Sequence, residues 1–355
     1  MKKTMKAVVA YGKHNYRMKE VDIPALKDGE MLIQVEACGI CAGDLKAYEG
    51  VSRFWGGDGM PGFCEPPFIP GHEFFGHVVA LQGDVPGDFK VGDRVISEQI
   101  VPCGTCWYCR RGMYSLCEPH NVYGFKNFQN GGMAEYAVLP RSSRNYHVPE
   151  ALSLEEAVLI EPFSCSLHGV RQGQIQPDDT VVVAGAGTLG LGMLQAIHAD
   201  FPCRKLIALD LIDARLELAK KFGADILVNP RNVNAIDEVL RLTDGVGCDV
   251  YIEASGHPSA VQQGLDMIRK GGTFVEFSVM SGPSTIDWSI IGDAKEIVIR
   301  GSQLSPDCYP TVIQNFQSKT YHSEGVVSHC FNLTQWDKAF ETAKTSESVK
   351  VILVP

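Results

Sequence analysis

From about residue 156 onward the chain alternates short apolar strands with helices, and nothing else in it restricts the fold as much. DTVVVAGAG reads as a buried strand ending in glycines, and TLGLGMLQAIHAD continues it as an apolar helix. KLIALD gives a second strand and ARLELAKKFGAD a second helix, stopped by Gly223. DILVNP, CDVYIEAS, GGTFVEFSV and EIVIRGS supply further strands, with NAIDEVLRLT and PSAVQQGLDMIRK as helices between them. Strands that are apolar throughout must be covered on both faces, so this alternation predicts a doubly wound parallel sheet over 156–300.

Gly185, Gly187 and Gly190 form G-x-G-x-x-G between the first of these strands and its helix, with Leu189 inside the motif. Alone the pattern is weak; in a strand–turn–helix context it is much stronger. The first glycine permits the tight turn, the second lets the backbone approach a pyrophosphate, and the third lets helix and strand pack closely. The helix N-terminus then faces the phosphates. Asp210 ends the second strand, where a carboxylate accepts hydrogen bonds from an adenosine ribose and repels a 2′-phosphate. That favours NAD over NADP. Arg215, five residues on, is a further candidate, although its position suits the exposed face of the next helix. Ser255, with Gly256, and Phe277 with Ser278 end later strands and are expected to complete the nucleotide site. The plain alternatives are a glycine-rich turn without a ligand and a surface aspartate.

The first 155 residues have another texture. MKAVVAY, MLIQVEACGI, FFGHVVAL and DRVISEQIV are β-like runs broken by D-G, P-G and G-D turns, which predicts a small, mostly β domain. Within it Cys103, Cys106, Cys109 and Cys117 fall in CGTCWYCRRGMYSLC. Four thiols at this spacing can converge on a tetrahedral, closed zinc site with no open position for chemistry. A disulfide knot or an iron–sulfur loop would be the other readings. After Gly301 the alternation is lost. FNLTQWDKAFETAKT reads as a helix and VKVILVP as a strand, and 301–355 is expected to rejoin the first domain.

EACGICAGD and, later, Gly-His-Glu at 71–73 place Cys41, His72 and Glu73 in two patterned loops, and IEPFSCSLHGV carries Glu161. With these residues the chain resembles the zinc-dependent medium-chain dehydrogenases over almost its full length. Within them it is most similar to the polyol branch, sorbitol dehydrogenase-like and closest in texture to the erythritol/threitol dehydrogenases. The resemblance implies a GroES-like, mostly β catalytic domain over 1–155 and 301–355, and a Rossmann domain over 156–300. It also implies two zinc ions per chain, NAD, and a homodimer or homotetramer. Cys41 and His72 would bind the catalytic zinc directly, Glu73 directly or from just behind, and Glu161 directly or through water. Zinc there would lower the pKa of a substrate hydroxyl, and hydride would pass from the carbinol carbon to nicotinamide. The expected substrate is a short polyol converted to its ketose; sorbitol, xylitol or 2,3-butanediol are the alternatives, and a non-catalytic nucleotide-binding protein is the rival from another class.

One departure stands out. Where the family carries Ser or Thr two residues after the ligand cysteine, and His five residues after it, this chain has Gly43 and Lys46. Gly43 has no hydroxyl to pass a proton, so water near Glu161, or the zinc-bound water itself, becomes the expected carrier, with Lys46 as an exit to solvent. Cys38 forms C-x-x-C with Cys41, but it continues a strand, which argues against a redox pair. Tyr48, Phe54 and Trp55 open a long aromatic loop that could line the substrate pocket or pack under the cysteine lobe. His77, His168, Cys64 and Cys165 have no motif support and read as structural.

A net charge of −10 argues against a nucleic-acid partner, which would call for a basic face on the protein. No apolar run approaches the ~20 residues that span a bilayer, and MKKTMKAVVAYGK lacks the apolar stretch of a signal peptide. With most of the 12 cysteines scattered, a reducing cytoplasm is expected.

Overall fold

The computed structural model describes residues 3–57, 59 and 61–355. The chain divides into two compact units. One runs up to Glu161 and takes in Tyr309–Gln317 and Val326–Pro355; the other holds Pro162–Cys308 and Ser318–Gly325. No helix among the described residues is long and apolar enough to cross a membrane.

The first unit opens with an antiparallel pair, β1 (Thr4–Ala10) and β2 (Tyr16–Asp22). β3 (Glu30–Gly39) follows, then two short helices, α1 (Ala42–Glu49) and α2 (Ser52–Trp55). β4 (Glu73–Gln82), β5 (Arg94–Ser97), β6 (Tyr136–Leu139) and β7 (Asn145–His147) complete the local strands. β3 and β4 pair antiparallel along their whole length, and Met31, Ile33, Val35, Phe74 and Val78 turn their side chains into the core. α3 (Leu154–Val158) begins with a reciprocal cap: Glu156 N–H donates to Ser153 Oγ and Ser153 N–H to Glu156 Oε2. It packs on β3 and β4, which keeps the chain in the first unit six residues beyond the expected break at 155.

α4 (Ile160–Gly173) carries the chain across into the second unit. There β8 (Thr180–Ala184), α5 (Thr188–Asp200), β9 (Lys205–Leu209), α6 (Asp213–Lys221) and β10 (Ile226–Val228) follow in turn. α7 (Ala235–Leu242), β11 (Cys248–Glu253), α8 (Pro258–Met267), β12 (Ile268–Glu276) and β13 (Val298–Gly301) complete it. The sheet order is β10-β9-β8-β11-β12-β13, and every pairing is parallel. Strand order reverses between β8 and β11, the place where such sheets bind ligands beyond their carboxyl ends.

The tail returns to the first unit through α9 (Tyr309–Gln317), whose Tyr309 stacks on Tyr146 at 5.4 Å. The sequence patterns above do not predict that helix. β14 (Val327–Asn332), α10 (Trp336–Ala343) and β15 (Lys350–Val354) follow. The expected helix from Phe331 starts only at Trp336, because Phe331 and Asn332 pair with β15. β15 in turn joins the edge of β3, placing Ile352 opposite Gly39.

Candidate functional site

β3 ends at Gly39, and Cys41 caps α1, its N–H donating to Asp44 Oδ2 at 2.9 Å. His72 stands in the turn before β4, and Glu73 opens that strand directly opposite Gly39. Ligand atoms of Cys41, His72 and Glu73 all lie within 4.8 Å of one another. Glycine at 39 is what admits the Glu73 carboxylate, since a Cβ there would overlap Glu73 Oε2.

The charges around this cluster are balanced in pairs. Asp44 is fully buried, and its Oδ1 faces His72 Nδ1 at 3.8 Å. Neither of those two buried atoms has a hydrogen-bond partner among the described residues. Burial opposes charge on His72, but the negative groups Asp44, Cys41 and Glu161 outweigh it and hold its pKa well above the ordinary value. The pocket therefore favours a positive charge at its centre. Glu73 is buried with Lys350, whose Nζ reaches Glu73 Oε2 at 2.6 Å, Oε1 at 2.8 Å and the Ile40 carbonyl at 3.2 Å. Burial alone would depress that lysine; Glu73, Cys41 and Glu161 overcome it and keep the amine charged. A thiol, an imidazole and a carboxylate around a cation-favouring point suit a zinc ion.

Glu161 is buried in the first turn of α4. It is not one of the groups gathered within 4.8 Å, yet its charge acts on His72 and Lys350. Lys46 sits half-buried in the last turn of α1. A Cβ on Gly43 would lie 3.7 Å from Cys41 Sγ and 3.9 Å from Phe54 Cζ, both ordinary contacts, so the missing hydroxyl is not enforced by space. Phe54 stacks on Phe125 at 5.6 Å, and Phe125 lies 5.6 Å from the His72 ring. Phe54 brings the long loop to this aromatic wall beside the cluster. Tyr48 and Trp55 instead pack on the core, Tyr48 against Tyr16 and Phe340 and Trp55 against Phe68. Asp58 and Met60 of the same loop lie outside the described residues. Cys38 is fully buried, and burial with the charge of Asp44 pushes its thiol well up, which leaves it inert.

The other cluster is local. Cys103, Cys106, Cys109 and Cys117 also place their sulfurs within 4.8 Å of one another, and every cysteine in the protein is a free thiol. Backbone N–H groups point at the sulfurs: Cys106 N to Cys103 Sγ at 3.3 Å, Cys109 N to Cys106 Sγ at 3.4 Å, and Cys103 N to Cys117 Sγ at 3.3 Å. Hydrogen bonds from the Thr105 backbone and hydroxyl, then from Cys106, bring Cys103 down to about 6. Such donors stabilise the Cys103 thiolate, while burial pushes Cys109 up to about 12 and raises Cys117.

In the second unit the three glycines play separate parts. Gly185 has φ +106°, and a Cβ on it would press on Ala254 and Ser255 backbone atoms at 2.9 Å. A Cβ on Gly187 would meet nothing within 4 Å, so its backbone is open to a ligand, while one on Gly190 would overlap the Gly185 carbonyl oxygen. Leu189 is half-buried, its carbonyl accepting from Ser166 Oγ at 2.8 Å. Asp210 is held at the end of β9 by the N–H groups of Ala186 (2.7 Å to Oδ2) and Ile212 (2.9 Å to Oδ1). That ties the β9 end to the glycine turn. Arg215 lies half-buried on α6, and Phe277 packs over Gly169. Ser255 is exposed beside Gly185, and Ser278 Oγ donates to the Glu253 carbonyl at 3.3 Å.

Comparison with known proteins decides the family. Residues 27–150 match the alcohol dehydrogenase GroES-like domain, and residues 188–318 match the zinc-binding dehydrogenase domain. The chain is 47% identical to the erythritol/L-threitol dehydrogenase of Mycolicibacterium smegmatis, across 99% of this chain and 98% of that one. This chain belongs to the zinc-dependent medium-chain dehydrogenases, in their polyol branch. The sorbitol dehydrogenase of Bacillus subtilis is 34% identical, over 99% of this chain and 97% of that one. A crystal structure from Sinorhizobium meliloti, assigned as a zinc-binding dehydrogenase and bound to NADP, superposes with a TM-score of 0.90 at 26% identity over the whole of both chains. Like its family, this dehydrogenase is a zinc-dependent oxidoreductase with a GroES-like domain and a parallel-sheet nucleotide domain.

Two residues beside the cluster are not marked as site residues by the sequence patterns. Asp44 stands there only as a residue between Gly43 and Lys46; its spacing of three from Cys41, typical of a helix start, is the signal available. Lys350 gives no signal at all, because only the pairing of β15 with β3 brings it to Glu73.

Proposed function

We propose that this dehydrogenase interconverts a short polyol of the erythritol/threitol type and its ketose, with NAD as the hydride partner and two zinc ions per chain. The observation that carries the reading is the convergence of Cys41, His72 and Glu73 around a point that favours positive charge. The four-carbon substrate class is supported by the 47% identity to an erythritol/L-threitol dehydrogenase.

When bound, zinc supplies the Lewis acidity that lowers the pKa of a hydroxyl, and NAD accepts the hydride. Cys41 and His72 are the direct ligands, with Glu73 or Glu161 completing the set. Asp44 faces His72 Nδ1 at 3.8 Å, so Nε2 would be the nitrogen left to hold the metal, and the Asp44 charge would favour a cation there. Lys350 neutralises Glu73 and holds its carboxylate opposite Gly39. Phe54 and Phe125 keep water from the imidazole side of the site. With no hydroxyl at Gly43, the proton would leave through ordered water beside Glu161 or through zinc-bound water, with Lys46 at the exit to solvent. The sulfurs of Cys103, Cys106, Cys109 and Cys117 hold the second zinc. In the second unit Gly185, Gly187, Leu189 and Gly190 cradle the pyrophosphate and Asp210 takes the ribose hydroxyls. Arg215, Ser255, Phe277 and Ser278 complete the surround. Asp210 favours NAD because its carboxylate repels a 2′-phosphate.

The test combines metal analysis with NADH and NADPH absorbance on a panel of erythritol, L-threitol, xylitol, sorbitol and 2,3-butanediol. The reading expects NAD-linked oxidation fastest with a four-carbon polyol. Preference for sorbitol would move the chain to the six-carbon group, and no turnover with any member would contradict the proposal.

A further inference from the structure

Glu253 ends β11 and is completely buried, although no step proposed above uses it. Its Oε1 accepts three hydrogen bonds from the turn that follows: Ser255 N–H at 2.8 Å, the Ser255 hydroxyl, and Gly256 N–H at 2.9 Å. Oε2 is buried and has no partner among the described residues. A carboxylate so placed is costly unless its bonds repay the desolvation. Here all of them are spent on one short turn, whose second residue, Gly256, has φ +69°.

That turn touches the ends of both neighbouring strands. On the β8 side, Ala254 N–H donates to the Ala184 carbonyl at 2.8 Å, and Ala254 and Ser255 press against Gly185 closely enough to exclude a Cβ. On the β12 side, Ser278 Oγ donates to the Glu253 carbonyl at 3.3 Å and Ser281 N–H to the Gly256 carbonyl at 2.9 Å. β8, β11 and β12 are adjacent in the sheet, and β8–β11 is where the strand order reverses. The segments after all three strands thus meet at the one turn that this carboxylate holds.

We propose that Glu253 is a positioning residue for the dinucleotide: by fixing the Ser255–Gly256 turn it sets the place of the Gly185 turn and of Ser278, and through them cofactor affinity. This rests on the nucleotide site proposed above. The carboxylate does not touch the cofactor; it acts through backbone that does.

The experiment is NADH binding to the zinc-loaded enzyme, followed by nicotinamide fluorescence, beside a melting curve for each variant. Glu253→Ala removes three hydrogen bonds to a charged acceptor, and the NADH dissociation constant should rise about tenfold or more. Glu253→Gln keeps the Oε1 acceptor and should stay within about threefold of the parent. Glu253→Asp keeps the charge but withdraws it by one methylene, so it should bind like Glu253→Ala; it covers the case in which the alanine variant does not fold. A merely structural role would lower the melting temperature of all three and leave the affinity of the folded protein unchanged. The proposal is overturned if folded Glu253→Ala and Glu253→Asp bind NADH within about twofold of the parent while Asp210→Ala binds it more weakly. If the parent itself binds no NADH, the nucleotide site is misplaced and the proposal falls with it.

Discussion

The two sulfur-bearing clusters of the first unit both bring their ligand atoms within 4.8 Å, by opposite means. The four-cysteine lobe draws its groups from fifteen consecutive residues, all of one chemical type, with backbone N–H groups as their supports. The Cys41 cluster draws on the cap of α1, the turn before β4 and the first residue of β4, and its counter-charge comes from β15. One closes on itself. The other mixes donors, buries Asp44 and Lys350 beside them, and leaves His72 Nδ1 and Asp44 Oδ1 without a hydrogen-bond partner among the described residues. A loop that satisfies itself suits a structural metal; a site assembled by the sheet, with mixed donors and buried charges set beside them, suits chemistry.

Lys350→Met should break this contrast most severely. It removes the charge and leaves Glu73 buried without its partner, a loss of about 3–5 kcal/mol in stability by denaturant titration. A loss near zero would mean that the first unit does not depend on that pair.

The same contrast divides the histidines. His72 is pushed up by the carboxylates around it, whereas burial, with Arg171 nearby, pushes His168 down to about 4. Between pH 6.5 and 4 the unfolded chain takes up a proton at residue 168 that the folded chain refuses, so stability falls as pH falls. The stabilisation present above pH 6.5 should decline by up to about 3 kcal/mol near pH 4. His168→Leu should flatten that part of the stability–pH curve; an unchanged slope would remove His168 from the account.

Asp210 belongs with the locally written features, since it is fixed by the turn beside it. Asp210→Ser should narrow the ratio of kcat/KM for NAD over NADP by about tenfold, the worth of one or two charge-assisted hydrogen bonds. An already equal use of both cofactors by the parent would contradict the assignment.

The smallest effect is expected from Gly43→Ser. The side chain fits there, and stability should change by no more than about 0.5 kcal/mol. Its value lies in combination: Glu161→Gln should lower turnover and alter the pH profile of kcat/KM in the parent, and do so less in the Gly43→Ser background, where the added hydroxyl supplies a second proton path. Equal losses in both backgrounds would remove Glu161 from the proton path.

Features whose parts lie close together in the chain are legible in the sequence alone. The β/α alternation, the glycine turn and the cysteine lobe are local patterns, and α5 spans the expected residues from Thr188 to Asp200. Cys41, His72 and Glu73 are legible as motif residues, yet only the pairing of Gly39 with Glu73 shows how they meet. Where strands exchange partners, the sequence is silent. β14 takes Phe331 and Asn332 from the expected helix because β15 is there to pair with them, and α9 returns to the first unit on Tyr309. Lys350 belongs to the same class: 277 residues separate it from the carboxylate it neutralises.

The central claim, one closed structural metal and one catalytic metal, is tested most directly by a stepwise chelator titration. Zinc content, polyol-dependent NADH formation and the melting curve would be measured on the same samples. The account predicts two zinc ions per chain. The first to leave should abolish turnover while the protein stays folded and binds NADH; the second should leave only as the fold is lost. Turnover that persists after the first zinc has gone, or a folded and active protein holding a single zinc in the cysteine lobe, would contradict it.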